Sequence, residues 1–156
     1  MVVDRSKYMS VAEVKQLRTV TEANSILALQ KGQVQGVMRW MLVDLALSTG
    51  LRVSEIAKLR IEHFDRKRGA LRITRSKKKR TTTETLPINK ALTDHLKQYI
   101  EWTGRKKGPL FVGQRGKLST AGLQQMWKAA VQRANLPKEL SIHSARHTLA
   151  VHLLRK

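Results

Sequence analysis

Apolar residues recur along this chain at helical spacing through most of its length, and at the alternating spacing of strands in one region only. "SVAEVKQLRTV" opens with Ser10 and, three residues on, Glu13, a capping-box pair, and sets Val11, Val14 and Leu17 on one face; a helix starts here. From about Val34 to Thr49 the apolar positions Val37, Met38, Met41, Leu42, Leu45 and Ala46 run into Gly50, a natural helix stop, and mark the central buried helix. A short helix from Val53 to Leu59 follows. "ALRIT" and "ETLPI" then read as strands flanking the cationic stretch "RSKKKRTTT", a β-hairpin with a basic tip. Asn89 caps a helix to about Trp102, and "GPLFV" is a short strand or an extended connection. "LSTAGLQQMWKAAVQRANL" contains a helix that ends before Pro137. Ser141 caps a last helix, "IHSARHTLAVHLLRK", whose Ile142, Leu149, Val151, Leu153 and Leu154 turn it inward. The expected class is mainly α with a small antiparallel β-sheet (α+β). With 156 residues and no internal repeat, the chain suits a single domain over 1–156.

Charge changes the picture. Lys and Arg number 31 against 11 Asp and Glu, a formal net charge of +20, and the natural partner of such a chain is a polyanion, because each neutralised phosphate releases condensed counterions. Aromatic residues make up 4% of the chain, which disfavours the base-stacking modules of RNA-binding proteins and leaves a ribosomal or RNA-binding reading resting on charge alone. With no cysteine there is neither a disulfide framework nor a thiolate metal site. The apolar run from Trp40 to Leu47 is broken by Asp44 and too short to span a bilayer, and "MVVDRSKYMS" has no secretory apolar region, so the expected location is the cytoplasm, away from membranes.

Three stretches can carry chemistry. In "HSARH", His143, Arg146 and His147 fall at i, i+3 and i+4 and share one helix face. The i, i+4 histidines have the spacing of a zinc site but lack the glutamate and third ligand such a site uses; the plain alternative is a solvated basic face with a core histidine. In "TGLRVSEIAKLR", Arg52 follows a tight turn. Two arginines and an imidazole on one phosphate would offer several N–H donors to its non-bridging oxygens and stabilise a pentacoordinate transition state without a metal. Between Arg66 and Arg80 there are nine Lys or Arg residues and no acid, a phosphate-backbone-binding loop or a solvated edge. One lysine near the tip, Lys77 or its competitor Lys79, can instead reach the scissile phosphate and protonate the leaving oxygen.

The segments "YMSVAEVKQL", "LALSTGLRVSEIAKLRIEHFD", the basic hairpin closed by "TLPI", and "LSIHSARHTLAVHLL" resemble, in that order, the successive signatures of the tyrosine recombinase (phage integrase) catalytic domain, over nearly the whole chain. The resemblance implies that family's fold and a metal-independent, cofactor-free strand exchange on double-stranded DNA, in a bacterial or phage-encoded protein. In it a tyrosine attacks the phosphodiester, leaving a 3′-phosphotyrosine and a free 5′-hydroxyl. It implies that Arg52 and Arg146 are the two catalytic arginines, His143 the histidine of the H-x-x-R motif, and Lys77 the general acid, with Lys79 still open as the alternative. Glu55 matches the acidic residue of the first motif, either orienting Arg52 or forming a surface pair; His147 is a supporting residue, and His152 is structural. Arg66, Lys67, Arg68, Arg75, Lys78, Lys79 and Arg80 are the implied DNA-backbone contacts.

The family's nucleophilic tyrosine is expected well beyond Arg146, and Tyr8 and Tyr99 do not fit its motif; both read as packing residues. The family's N-terminal core-binding domain is not expected within 1–156 either. The expectation is therefore a catalytic-type domain that binds DNA without cleaving it, monomeric off DNA, whose full-length relatives act as tetramers of recombinase subunits on paired sites. The competing expectation is a non-catalytic DNA-binding remnant or a regulator of recombination.

Overall fold

The computed structural model describes residues 8–77 and 79–154, with the main chain alone at 77, 153 and 154. Three of its helices, those starting at Val11, Lys90 and Ile142, begin on a side-chain cap. Ser10 Oγ accepts from Glu13 N and Glu13 Oε1 from Ser10 N, closing the capping box of α1 (Val11–Lys31). α2 (Val34–Thr49) ends at Gly50, whose N–H donates to Ala46 O. The short α3 (Val53–Ala57) stops two residues before the expected end. Asn89 Oδ1 accepts from Leu92 N at the start of α4 (Lys90–Thr103). α5 spans Thr120–Arg133, and Ser141 and Ser144 exchange backbone-to-hydroxyl hydrogen bonds at the start of α6 (Ile142–Leu154).

The chain divides into two compact units, residues up to 53 with those from 121 onward, and residues 54–120. In the first, α1 and α2 pack as a hairpin. The expected apolar face of α1 holds only in part: Leu17 is buried, Val11 is 73% exposed, and the buried stripe is Leu17, Thr21, Ser25 and Ala28. Small residues suit this contact because a Cβ on Gly36 would stand 2.7 Å from Ala28 Cβ, so the two backbones approach too closely for larger side chains. Thr21 Oγ1 donates to Leu17 O and so is satisfied within the helix. Asp44, which interrupts the apolar run of α2, is buried but receives Arg18 Nη1 at 2.6 Å and the Ser48 hydroxyl at 3.0 Å. Trp127 of α5 is fully buried, and its Nε1–H donates to Leu140 O at 3.0 Å. In α6, Ile142 and Val151 are buried as expected and Leu149 is half-buried; the side chains of Leu153 and Leu154 lie outside the described residues. Met9 N donates to Thr148 Oγ1, and His152 Nε2 lies 3.1 Å from Met9 O, which ties the chain before α1 to α6 and gives His152 its structural role.

The second unit is built on a three-stranded antiparallel meander, β1 (Phe64–Asp65), β2 (Ala70–Lys77) and β3 (Arg80–Pro87), with Leu71 opposite Leu86 and Lys77 opposite Arg80. The strands run through most of the stretch expected to form a polar tip, and Lys79 is a turn residue before β3. Thr81, Thr82 and Thr83 are β-branched and pair with Ser76, Arg75 and Thr74, so polarity here marks a solvated strand face and not a loop. Tyr99, buried as expected of a packing residue, donates its hydroxyl to Leu110 O at 2.8 Å. In "GPLFV", Leu110 and Phe111 are buried, and Val112 opens a small hairpin of β4 (Val112–Gly113) and β5 (Gly116–Lys117). Among the described residues no helix is long and apolar enough to cross a membrane.

Candidate active site

The geometry around Gly50 is the most informative feature of the first unit. Gly50 adopts the left-handed conformation, φ 67°, and a Cβ there would stand 3.0 Å from Leu149 Cδ2 and 3.7 Å from Arg146 Cα. Helix α6 therefore lies directly against the turn that follows α2. Arg146 Nη1 donates to Gly50 O at 3.3 Å, a hydrogen bond across 96 positions of sequence. The next residue, Leu51, is buried and anchors the turn, while Arg52 is exposed. His143 is exposed and Arg146 half-buried on the first turns of α6. The three residues matched to the family's phosphate-binding groups thus belong to one unit, two of them on the first turns of α6, where the helix dipole favours an anion.

His147 takes no part in this patch that the geometry requires. Its ring stands edge-on to the buried Tyr8, centroids 6.3 Å apart. Among the described residues no three His, Cys, Asp or Glu side chains gather into a metal-binding cluster.

The second unit carries Glu55 and the cationic strands. Glu55 is not the surface residue that a plain i, i+3 pair would make it: it is 4% exposed, and Arg75 Nε lies 3.0 Å from its Oε2. Arg75 Nη1 also lies 3.3 Å from Glu84 Oε2. A guanidinium held between two carboxylates is poorly suited to be the phosphate contact the sequence suggested, and it links α3 to β2 and β3 instead. Lys58, which the sequence did not single out, donates from Nζ to Ser76 Oγ at 2.9 Å beside the end of β2. No local pattern marks it, because the contact depends on strand register.

Lys77 is the last residue of β2 and Lys79 sits in the turn, exposed, with Arg80 exposed at the start of β3. Lys78 and the side chain of Lys77 lie outside the described residues. Arg66, Lys67 and Arg68 lie elsewhere, in the turn between β1 and β2. The seven residue steps of β2 span about 23 Å at a strand's rise, so Arg66, Lys67 and Arg68 sit at one end of the strand and Lys79 past the other, with Arg72 and Arg75 along it. In the first of these, Arg66 Nη2 is 3.3 Å from Glu101 Oε1 and Arg68 Nε 3.9 Å from Asp65 Oδ2, exposed pairs that contribute little to stability.

Comparison with known proteins agrees with this architecture. The model of the phage integrase family matches residues 10–156. Tyrosine recombinase XerD of Staphylococcus saprophyticus is 30% identical over 152 residues, 90% of this chain and 50% of its own length. Among solved structures, XerA recombinase superimposes with a TM-score of 0.75 at 22% identity over 95% of this chain and 50% of its own. The integrase of mycobacterium phage Brujita does so with a TM-score of 0.70 at 26% identity, over 99% and 45%. The chain spans about half the length of the relatives it matches. A fold of this class, with the four signatures in order and a family match over nearly every residue, makes the chain a member of the phage integrase family.

Proposed function

We propose that residues 1–156 form the catalytic-type domain of a tyrosine recombinase, which binds duplex DNA and activates one phosphodiester for site-specific cleavage and rejoining. The observation that carries this reading is the seating of α6 on Gly50, which holds Arg146 beside the turn bearing Arg52. In the proposed reaction Arg52, Arg146 and His143 donate to the non-bridging oxygens and stabilise the charge that builds on them. A tyrosine oxygen displaces the 5′-oxygen: the Oη–P bond forms as P–O5′ breaks, the phenolic proton is released, and Lys77 protonates the departing oxygen. Glu55 acts through its pair with Arg75, as a positioning residue. No metal or cofactor enters this scheme.

The attacking tyrosine is assigned to a segment outside 1–156. Tyr8 and Tyr99, the two tyrosines of the chain, are each 2% exposed, and burial pushes the Tyr99 phenol well above its usual range. This burial also supports a second reading, a DNA-binding regulator that occupies recombination sites without cutting them. The two part in a form of the protein extended to include a tyrosine-bearing segment, which cleaves on the first reading and only binds on the second. Off DNA the chain is proposed to be monomeric, and within a full-length recombinase to act in a tetramer on paired sites.

The choice between Lys77 and Lys79 is open to a direct test in that extended protein. Lys77→Ala is expected to slow cleavage by about 10²–10⁴-fold, the usual contribution of a general acid. It should regain most of that rate on DNA whose bridging 5′-oxygen is replaced by sulfur, since a thiolate leaves without protonation. Lys79→Ala should lose affinity and little rate; the opposite pattern would transfer the role to Lys79.

A further inference from the structure

The turn between β1 and β2, in the second unit, has a specific construction. Asp65 Oδ1 accepts from the backbone N–H groups of Lys67 and Arg68, and Asp65 O accepts from Gly69 N, so the turn is internally braced. Beside it lies an open groove of about 470 Å³ whose lining includes His63, Lys67, Arg68, Arg72 and Thr85. Two carboxylates also line it, and both are occupied: Asp65 by the turn, and Glu62 by Gly108 N–H at 2.9 Å and Arg60 Nε at 3.2 Å. Arg72 is fixed at the rim by a hydrogen bond from Nη2 to Glu62 O.

His63 has a defined role in this groove. Its Nδ1 accepts from Arg60 N at 3.1 Å, which leaves the proton of the neutral ring on Nε2 as a donor. Partial burial, and then the positive charge of Arg72 and Arg60 outweighed only in part by Glu62, keep the ring below its usual pKa. A cavity lined by cations, a neutral N–H donor and a hydroxyl, with its carboxylates already engaged, is suited to an oxyanion.

We propose that this groove is a second phosphate-binding site, which takes a backbone phosphate of duplex DNA about 23 Å along β2 from the turn that carries Lys79, with Lys67, Arg68 and Arg72 supplying charge and His63 Nε2–H a neutral donor. The nucleic-acid source is favoured over a free anion because the groove is open, its cations are exposed, and the chain carries a net charge of +20. The inference rests on the DNA-binding reading above.

The test uses the whole chain with a 24-base-pair duplex and, separately, inorganic phosphate. Either probe should raise the pKa of His63 when bound, read from its ring resonances and assigned by their loss in His63→Gln. The variant Lys67→Ala/Arg68→Ala, changed only on exposed side chains, should bind the duplex about tenfold more weakly at 0.15 M salt, with a salt slope shallower by about one. A resonance that moves with neither probe overturns the site. Movement with inorganic phosphate and an unchanged salt slope in the double variant also overturns it, leaving a free-anion groove. A wild-type chain that binds no duplex overturns the broader DNA reading instead, whereas tight duplex binding with an unmoved His63 overturns the groove alone.

Discussion

Arg146→Ala is expected to slow strand cleavage severely while weakening DNA binding only modestly. In a form of the protein that carries the attacking tyrosine, the cleavage rate should fall by about 10²–10³-fold, the usual effect of removing one donor aimed at developing negative charge. The loss of affinity should stay within about tenfold, because an exposed or half-exposed phosphate contact contributes roughly 1 kcal/mol. The physical reason for the split is that Arg146 meets charge that grows only as the phosphorus becomes pentacoordinate. Arg146→Lys sharpens the test. It keeps the positive charge, and so should recover affinity, but it loses the planar fork that also donates to Gly50 O, and so should not recover rate. Single-turnover cleavage alongside equilibrium binding measures both numbers. Parallel losses of rate and affinity would point to a binding residue only.

The largest expected effect on stability is at Trp127. This side chain is 1% exposed and bonds Leu140 O through its indole N–H, so Trp127→Ala removes a large apolar group and orphans a buried carbonyl. The cost should be about 3–5 kcal/mol, which lowers Tm by roughly 10 °C in a chain of this size. Trp127→Phe separates the two contributions: it keeps most of the buried area and leaves the carbonyl unpaired, at about 1–3 kcal/mol. Thermal and urea unfolding followed by circular dichroism would check both. A change of under 1 kcal/mol for the alanine variant would mean that the α5 packing described above is not that of the folded chain in solution.

Several helix ends were legible because they are written in local chemistry: Ser10 with Glu13, Gly50, Asn89 and Ser141 terminate helices where their backbone or side-chain preferences favour it. The two-residue strand β1 was not legible, since it exists only by pairing with β2. The reach of the hairpin strands was misread for a related reason. Thr81, Thr82 and Thr83 are polar, and polarity alone cannot separate a solvated strand from a loop when the partner strand is unknown. At the candidate site, motif spacing singled out Arg52, His143 and Arg146, but the seat of Arg146 against the turn before Arg52 depends on Gly50 admitting α6, a contact between positions nearly a hundred apart. The Glu55–Arg75 pair and the separation of Arg66–Arg68 from Lys79 likewise follow from strand register, which no single segment encodes.

On the proposed function, Arg52, His143 and Arg146 activate a phosphodiester toward a tyrosine oxygen. Covalent trapping tests it most directly: the tyrosine-bearing form of the protein is incubated, with chelator present, on a duplex nicked just downstream of the cleavage position, so that the 5′-hydroxyl fragment diffuses away. The expected product is a protein–DNA adduct joined through a tyrosine to the 3′-phosphate, with a free 5′-hydroxyl, which is lost in Arg52→Ala and Arg146→Ala. An adduct on a 5′-phosphate, or undiminished trapping in both arginine variants, would contradict the proposed function.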